Sequence, residues 1–449
     1  MNLPENWDKL TPDAKMEARF AAWLSLEGHS FASPEAAQTY QRRVQRVIDV
    51  IQLKKPDRVP FFTKFGGFIA DYAGVTHKDL MYDFDKSVEA IRKVHTDFNP
   101  PYQDTGYFLP GEALDMLGYT VYRWPGQELE PTAPFQAVEA EYMRADEYDD
   151  LIANPEGYYL RTYMPRAFAN LTGFEKLPGL FASQEIPGVG PMVAAAGTDI
   201  VREALQVFLE AGRAAKQWND VRKQVIAELI SSLGMPFERG AFSKAPFDIL
   251  GDTFRGTRGI MLDMYRQPDK VVAACECLVS IAVQMGIEGA KATGVPIVFM
   301  PLHKGADGFM SGEGFKEFYW ASLKKVIEGL IAEGLVPYLF VEGSFNRNKR
   351  LDVISNSGLP AGKTYWLFDR TDMELVRDRF AGWACFGGNV PASLFYTTSA
   401  QEMDDYIREL IESVGSDGGY FLSPGAVLDN VRPENMHAYV NAARKYGAY

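Results

Sequence analysis

The chain has 449 residues, of which 47% are hydrophobic and 13% aromatic, so it can bury a substantial core in one large domain or several smaller ones. Its formal net charge of −13 argues against a nucleic-acid-binding surface. No apolar run reaches the roughly 18 residues that a membrane span needs. The first residues lack the basic and apolar regions of a secretory signal. Together with only three cysteines, these features predict a protein of the reducing cytoplasm without a disulfide framework.

Residues 1–55 are predicted to form an N-terminal helical extension. Ser33 followed by Pro34 is a favourable helix start, with serine at the N-cap and proline at the first helical position. The extension is expected to pack on the main domain. The alternative is that it forms the contact of a homodimer.

Residues 56–449 are predicted to form one large α/β domain. A first strand is expected at 59–65, and the irregular stretch at about 125–235 is interpreted as a helical insertion. From residue 268 onward, five consecutive strand-then-helix units indicate a parallel sheet with right-handed crossovers. The most economical architecture is a (β/α)8 TIM barrel with inserted helices. A doubly wound open sheet is the alternative.

Polar side chains follow the predicted strands at the points where the apolar runs break. The active sites of barrels lie at the carboxyl ends of the strands, so these side chains are expected to meet at one mouth. They are His303, Lys304, Glu342, Asp369, Cys385, Asn389 and Ser423. Asp372 stands directly before a helical pattern and is predicted to cap that helix.

Three of these side chains form a potential metal set. The imidazole of His303, the carboxylate of Glu342 and the thiolate of Cys385 are ligand types that suit Zn²⁺ and leave a fourth position open. The alternative is local and structural. In that interpretation Cys385 is a small buried hydrophobe, Glu342 pairs with a nearby arginine and His303 forms local hydrogen bonds.

Some further stretches have two possible interpretations, and one Gly-rich stretch does not match a known nucleotide-binding motif. The charged segment at 243–266 is either a salt-bridge network that braces a lid or a set of groups that face a substrate. The aromatic stretches at 102–108 and 158–181 either wall an apolar pocket or belong to the core. The Gly-rich phrase at 186–197 lacks the spacing of a dinucleotide-binding fingerprint.

Several phrases of the sequence resemble one superfamily. They are KKPDRVPF at 54–61, GFKEFYWASLKKVIEGLIAEG at 314–334, CFGGN at 385–389 and the ending GGYFLSPGAVLDNVRPENMHAYVNAARKYG. These phrases are similar to those of the uroporphyrinogen decarboxylase superfamily, over about 56–449. That resemblance implies a (β/α)8 barrel, and the superfamily also includes corrinoid-dependent methyltransferases.

The sequence departs from the decarboxylase pattern in two places. Decarboxylases of this superfamily carry an Arg-Gln-Ala-Gly-Arg phrase after the first strand, whereas residues 61–67 contain no arginine. A substrate with many carboxylates would then lack its charge partners, which disfavours a porphyrinogen. The phrase GNVPA at 388–392 also replaces the usual Gly-Asn-x-Asp-Pro.

The sequence also alters the zinc motif of the methyltransferase branch. That motif has a His-x-Cys pair at one strand end and a cysteine before a later Gly-Asn turn. Cys385 matches the later cysteine, but Phe340 and Glu342 occupy the His-x-Cys positions. His303, one strand earlier, would restore a nitrogen ligand to the zinc.

Three phrases are most similar to methyltransferase I components of corrinoid O-demethylases. They are HKGADGFMS at 303–311, EGSF at 342–345 and CFGGNVPASL at 385–394. The resemblance implies transfer of a methyl group from a small methylated substrate, an aryl methyl ether, to the Co(I) corrinoid of a separate protein. Zinc would activate the leaving oxygen, and Lys304 or Asp369 would assist as acid or orienting group. Asn389 and Ser423 are assigned to cofactor binding. The corrinoid is expected on a partner protein because the sequence has no Asp-x-His-x-x-Gly phrase.

Two other functions stay open at this point. One is a decarboxylase that acts on a porphyrinogen-like or other carboxylated substrate. The other is a non-catalytic protein that binds a corrinoid or tetrapyrrole.

Overall fold

The computed structural model describes residues 4, 6–347 and 349–449, so residues 1–3 and 5 of the predicted extension lie outside it. Two short antiparallel strands, β1 (Tyr122–Arg123) and β2 (Gln136–Ala137), precede a parallel sheet. The sheet consists of β3 (Ala241–Phe242), β4 (Ile297–Leu302), β5 (Val336–Val341), β6 (Tyr365–Phe368), β7 (Cys385–Gly387) and β8 (Tyr420–Phe421). These six strands lie side by side in chain order.

Two further strand positions close the sheet into a barrel. Phe61 forms a parallel bridge with Leu422 beyond β8, and Gln103 forms one with Phe237 before β3. Next to these bridges, the rings of Phe62 and Tyr102 lie 4.6 Å apart. Eight parallel positions in chain order form a (β/α)8 barrel, which confirms the predicted fold. The doubly wound alternative is wrong, because an open sheet of that kind reverses its strand order.

Helices surround the barrel and cover both of its ends. The α-helices are α1 (Pro12–Leu24), α2 (Pro34–Ile51), α3 (Phe68–Ala73), α4 (Asp79–Tyr82), α5 (Phe84–Phe98), α6 (Gly111–Leu117), α7 (Tyr148–Ala153), α8 (Pro155–Tyr158), α9 (Met164–Ala167), α10 (Ile186–Ala194), α11 (Asp199–Leu233), α12 (Pro246–Asp248), α13 (Gly256–Arg266), α14 (Pro268–Thr293), α15 (Gly312–Gly314), α16 (Ala321–Ala332), α17 (Arg350–Ser355), α18 (Met373–Phe380), α19 (Leu394–Thr397), α20 (Ala400–Val414) and α21 (Pro433–Tyr446). Short 3₁₀ helices span Trp7–Lys9, Ala169–Lys176, Leu180–Ser183 and Ala195–Gly197. π-Helical turns span Tyr159–Tyr163, Ile249–Phe254 and Phe315–Trp320.

The sequence explains why these elements form where they do. All six residues of β5 are buried, as expected of a strand covered on both faces of a parallel sheet. Asp372 accepts hydrogen bonds from the backbone N–H groups of Glu374 and Leu375 at the start of α18, so its predicted capping role is confirmed. Ser33 caps α2 in the same way.

The N-terminal extension closes the amino-terminal end of the barrel. Apolar side chains of α1 and α2, among them Phe20 and Val44, share one core cluster with residues from inside the barrel such as Tyr338. Glu333, just beyond α16, binds the extension through side-chain hydrogen bonds. Its carboxylate accepts hydrogen bonds from Trp7 Nε1 at 3.0 Å and Lys15 Nζ at 2.8 Å.

The predicted insertion at about 125–235 falls between the second strand position and β3, where α7 to α11 lie. Its longest helix, α11, has 35 residues and contacts other parts of the fold near both of its ends. Near its start, Gly173 of the insertion packs against the carbonyl of Ile200. Near its end, Ser231 O accepts a hydrogen bond at 3.0 Å from the N–H of Ala32 in the extension.

One helix, α14, is long and apolar enough to cross a bilayer by length and composition alone. Its inner face packs on the barrel, where a side chain at Gly286 would meet Val298 of β4 and Leu330 of α16. Core helices of folded domains pass the same test, and this packing explains the apolar residues of α14. The helix also carries Cys275, which is buried, and Cys277, which is half-buried.

We predict that Glu333→Ala loosens the extension. The substitution leaves Trp7 Nε1 and Lys15 Nζ without their acceptor, which should lower the free energy of unfolding by about 1–2 kcal/mol. Limited proteolysis should cut the first 50 residues faster than in the unmodified chain. The matched control is Glu328→Ala, which removes only an i,i+4 pair with Lys324 on the outside of α16. Equal cleavage of the two variants would contradict a docking role for Glu333.

Candidate active site

The candidate site begins where β4 and β5 end side by side. Leu302 and Val341, the last residues of the two strands, are paired in register. The residues that follow them, His303 and Glu342, are therefore neighbours, and His303 Nε2 lies 3.6 Å from Glu342 Oε2. The structure brings together these two of the three predicted metal ligands.

The carboxylate of Asp252 holds the cationic side of the site. It accepts from His303 Nδ1 at 2.6 Å, and it pairs with Lys304 Nζ at 2.6 Å and Lys244 Nζ at 2.5 Å. Burial alone would raise the pKa of Asp252. The hydrogen bond from His303 and the positive charges of the two lysines outweigh burial and bring the pKa below its ordinary range. Asp252 is thus a fixed anion that gathers three positive groups.

Asp252 lies in the π-helical turn Ile249–Phe254, which follows β3 and α12. Single π-helical turns are frequent at functional sites because the extra residue re-aims the side chains around it. At the start of this segment, the buried Asp248 accepts hydrogen bonds from the backbone N–H groups of His303 at 3.0 Å and Lys304 at 2.8 Å. It also accepts one from the hydroxyl of Tyr319 at 2.6 Å. Asp248 thereby fixes the backbone that presents His303.

The charged segment at 243–266 divides into two parts with different partners. Lys244 and Asp252 reach the candidate site. Farther along, Arg255 Nε pairs with Asp263 at 2.6 Å, and Tyr148 of α7 donates to Asp263 at 2.9 Å. This buried second half braces α7 against α13.

His303 is held as an imidazolium. Burial is the largest single influence and lowers the pKa of His303. The hydrogen bond to Asp252 and the negative charges of Asp252 and Glu342 outweigh it and raise the pKa to about 10, from an ordinary 6.5. Because the folded-state pKa is the higher one, protonation of His303 contributes stability that is fully present below pH 6.5 and is lost as the pH rises through about 10.

Cys385 is not part of this cluster. It is the first residue of β7, and it is in register with Tyr365, which is in turn in register with Tyr338. That level lies four residues before Glu342 along the strands, roughly 13 Å at the usual rise per residue. Cys385 is fully buried in the core cluster, and burial raises the pKa of its thiol well above the ordinary value.

The predicted zinc set is therefore not assembled. Across the described part of the chain, no group of three or more His, Cys, Asp or Glu side chains is arranged to hold a metal ion. His303 and Glu342 would supply two donors, but the neutral, buried thiol of Cys385 does not reach them. The placement of Cys385 at a strand end was wrong, because the strand starts at Cys385 and ends at Gly387.

The other predicted site residues lie around the strand ends. Lys304 is buried and committed to Asp252 and to the hydroxyl of Thr257, 3.1 Å away. Asp369 follows β6 and accepts from the N–H of Gly343 at 3.1 Å. Burial, followed by the negative charge of Glu342, raises the pKa of Asp369.

The two residues assigned to cofactor binding make local contacts. Asn389 Nδ2 donates to the carbonyl of Thr371 at 2.6 Å. Ser423 is fully buried, and its hydroxyl donates to the carbonyl of Pro424 at 3.0 Å. Both side chains hold strand-end loops in place.

Lys64 is a buried amine that the sequence analysis did not single out. It is 4% exposed, and its Nζ lies 3.6 Å over the ring of Phe340 inside the barrel. No carboxylate of the described residues lies within 4.0 Å of it. Burial, and then the charge of Arg239, lowers the pKa of Lys64 to about 7, against the opposing charges of Glu238 and Glu342. The available signal was its position at the end of the first predicted strand.

Aromatic side chains of the insertion and of the segment before it stand beside the site. The ring of Phe135 lies 5.7 Å from Tyr122 and 4.8 Å from Tyr107. Burial and then the charges of Asp252 and Glu342 raise the pKa of Tyr122. The ring of Tyr163 lies 5.3 Å from that of Phe254, which belongs to the same π-helical turn as Asp252. Tyr122 is also 37% exposed, so an apolar ligand can reach it.

The fold and the site together define an enzyme of the (β/α)8-barrel class, with its polar groups at the carboxyl ends of the strands. The chain belongs to the uroporphyrinogen decarboxylase (URO-D) family, whose family model matches residues 198–446.

Curated relatives and a solved structure show the extent of the similarity. The chain is 25% identical over 146 residues to the uroporphyrinogen decarboxylases of Photorhabdus laumondii and Cronobacter sakazakii. Each match covers 31% of this chain and spans about two fifths (39%) of the relative's length. A methyltransferase from Methanosarcina mazei has the same fold, with a TM-score of 0.56 and 14% identity. That match covers 91% of this chain and 98% of the neighbour.

We predict that Asp252→Asn moves the titration of His303. Loss of the carboxylate charge removes the main support of the imidazolium, so the pKa of His303 should fall from about 10 toward 6.5. The imidazole signal, assigned with a His303→Gln variant, is followed by NMR against pH. Asp372→Asn is the control, since asparagine still caps a helix. An unchanged titration in Asp252→Asn would contradict the assigned hydrogen bond.

We predict that Cys385→Ala changes stability and leaves metal content alone. Removing a buried sulfur should cost about 1 kcal/mol of folding free energy. Elemental analysis should give the same zinc content for the variant and the unmodified chain. Zinc bound at one equivalent in the unmodified chain and lost in Cys385→Ala would restore Cys385 to the ligand set.

Proposed function

We propose that the chain is a methyltransferase that takes a methyl group from the oxygen of a small aryl methyl ether. The acceptor is the Co(I) corrinoid of a separate protein. The observation that carries this proposal is the position of His303, whose Nδ1 lies 2.6 Å from Asp252 and whose Nε2 lies 3.6 Å from Glu342, beside an aromatic wall. An ether methyl group leaves only when the departing oxygen is stabilised, and a positioned acid meets that need.

The proposed acid is His303 Nε2. Its Nδ1 is occupied by Asp252, so Nε2 is the nitrogen that faces a substrate. Nε2 lies 3.6 Å from Glu342, beyond normal hydrogen-bond length, so a substrate oxygen can take its place beside Glu342. Asp252 stabilises the cation in the way a carboxylate orients a catalytic histidine.

The transfer balances without a resident metal. The C–O bond breaks with its electron pair on oxygen, the proton of His303 moves to that oxygen, and the methyl group passes to the electron pair of the Co(I) acceptor. The products are a phenol and a methylated corrinoid on the partner. His303 regains its proton from solvent between turnovers.

Lys304 and Asp369 have supporting roles in this proposal. Lys304 fixes the carboxylate of Asp252 from the other side and so acts as a positioning residue. Asp369, whose pKa is raised, lies beyond β6 and orients the loop at Gly343. Lys64, with its Nζ over the ring of Phe340 and its pKa lowered to about 7, is a second group inside the barrel that can exchange a proton near neutral pH.

The aromatic wall supports an aryl substrate. Beyond Tyr122, the insertion presents Tyr159, which is 40% exposed, and its ring lies 4.8 Å from Tyr163. Such rings offer apolar area and favourable edge and face contacts to a flat aromatic ligand. The corrinoid protein would dock over the same mouth, since its cobalt has to reach the methyl group.

The test is a single-turnover methyl transfer under anaerobic conditions. The purified chain is mixed with Co(I) cobalamin and a panel of methoxybenzenes, and methylation is followed by the loss of Co(I) absorbance. We expect transfer with the unmodified chain. His303→Gln should lower the rate about 100-fold, the usual contribution of a general acid. The control is His29→Gln in the N-terminal extension, which should transfer at the normal rate.

A transfer rate that is equal in His303→Gln and in the control would remove His303 from the acid role. No transfer with any ether would contradict the methyltransferase proposal itself. That outcome would leave the decarboxylase and the non-catalytic binding protein.

One observation favours a decarboxylase as the second candidate. A cavity of about 1590 Å³ runs beside β3 and α11 and is lined by Arg222, Arg239 and Trp218, among others. Two guanidinium groups in a cavity of this size would suit a large carboxylated substrate. The decarboxylase is the second candidate because the lining of this cavity contains neither His303 nor Asp252. Release of CO₂ from a uroporphyrinogen would establish it.

A further inference from the structure

Four arginines line a small cavity at the end of the barrel opposite to His303. The cavity has a volume of about 200 Å³ and lies where the first two strand positions begin, against Val59 and Tyr102. Its arginines are Arg43, Arg46, Arg58 and Arg444. No step of the proposed methyl transfer uses these residues.

The four side chains come from three separate parts of the chain. Arg43 and Arg46 are three residues apart on α2 and so lie on one face of it. Arg58 lies just before the first strand position, and Arg444 lies in the last turn of α21. The fold therefore assembles the cluster, which is not a run of charge in the sequence.

Some of the guanidinium N–H groups already have acceptors. Arg46 donates to Asp57 through Nε at 2.5 Å and Nη2 at 2.6 Å. Arg43 Nη1 donates to the carbonyls of Leu233 at 2.9 Å and Gly234 at 3.1 Å. The remaining donors of Arg43 are buried with it, since the residue is 8% exposed. For the Arg58 side chain, the described residues supply no acceptor.

The charge of the cluster is not balanced by protein groups. Among the described residues, Asp57 is the one carboxylate within 4.0 Å of any of the four arginines. Burial, together with repulsion from Arg46 and Arg444, lowers the pKa of Arg43 to about 10. Four cations with one anion stand out in a chain whose net charge is −13. A bound anion would relieve both the repulsion and the unused donors.

We propose that this cavity binds a small tetrahedral oxyanion, such as phosphate or the phosphoryl group of a small metabolite. Arginine forks match phosphate oxygens two at a time, and arginine stays charged when it is buried. A dianion offsets more of the excess charge than a single carboxylate does. The volume suits one phosphate with a few attached atoms and excludes a nucleic-acid strand.

Occupancy would tie three elements together. The anion would join α2 of the extension to the first strand position and to α21. Because it binds the folded state, it should raise thermal stability by mass action. It would act at the opposite end from the catalytic mouth, so the inference does not depend on the proposed function.

The test compares thermal midpoints in potassium phosphate and in potassium chloride at matched ionic strength, with glycerol 3-phosphate as a third arm. We expect phosphate to raise the midpoint of the unmodified chain by several degrees. Arg58→Gln should abolish this shift, because Arg58 faces the cavity without another partner. The control is Arg213→Gln, at an exposed position of α11, which should keep the full shift.

If a variant has an altered melting curve without phosphate, isothermal titration calorimetry measures phosphate binding to it directly. Saturable binding that is lost in Arg58→Gln and kept in Arg213→Gln supports the site. Equal responses to phosphate and chloride, or equal shifts in both variants, overturn it. Tighter binding of glycerol 3-phosphate than of phosphate would identify a phosphorylated metabolite as the source, and the reverse would identify the free ion.

Discussion

The candidate site depends on one half-buried carboxylate. Asp252 sits among His303, Lys304 and Lys244 and is the shared counter-ion of all three. Without it, three positive groups would face one another across a few ångströms in a partly dry pocket, which favours the neutral form of His303 and costs folding free energy. With it, the imidazolium is stable and its free nitrogen points toward the mouth. The histidine owes its positive charge to this arrangement.

Geometry around Asp252 is set by elements that do not touch a substrate. The π-helical turn aims the carboxylate, and Asp248 clamps the backbone of residues 303–304 through two N–H groups. The register between β4 and β5 brings Glu342 to the other side of the imidazole. These supports come from the connection after β3 and from the pairing of β4 with β5, which is how barrels combine distant sequence positions into one site.

Much of the fold and part of the candidate site could be predicted from the sequence, and the other features could not, for identifiable physical reasons. The buried strands are continuous apolar runs, so the barrel and the strand-end positions of His303 and Glu342 follow from pattern. Cys385 was misplaced because ACFGG does not show whether the cysteine starts or ends its strand; a shift of a few residues moves it from the mouth to the interior. The role of Asp252 depends on a π-helical turn, and that of Lys64 on a missing partner. Neither property is local to the sequence.

The 35 residues of α11 make a rod about 50 Å long at the usual helical rise. One end packs on the insertion beside Gly173, and the other hydrogen-bonds to the extension at Ala32. The insertion and the extension are therefore joined by one continuous helix. Over that length, a tilt of about 5° corresponds to a displacement of roughly 4 Å at one end, so the positions of the two regions are coupled.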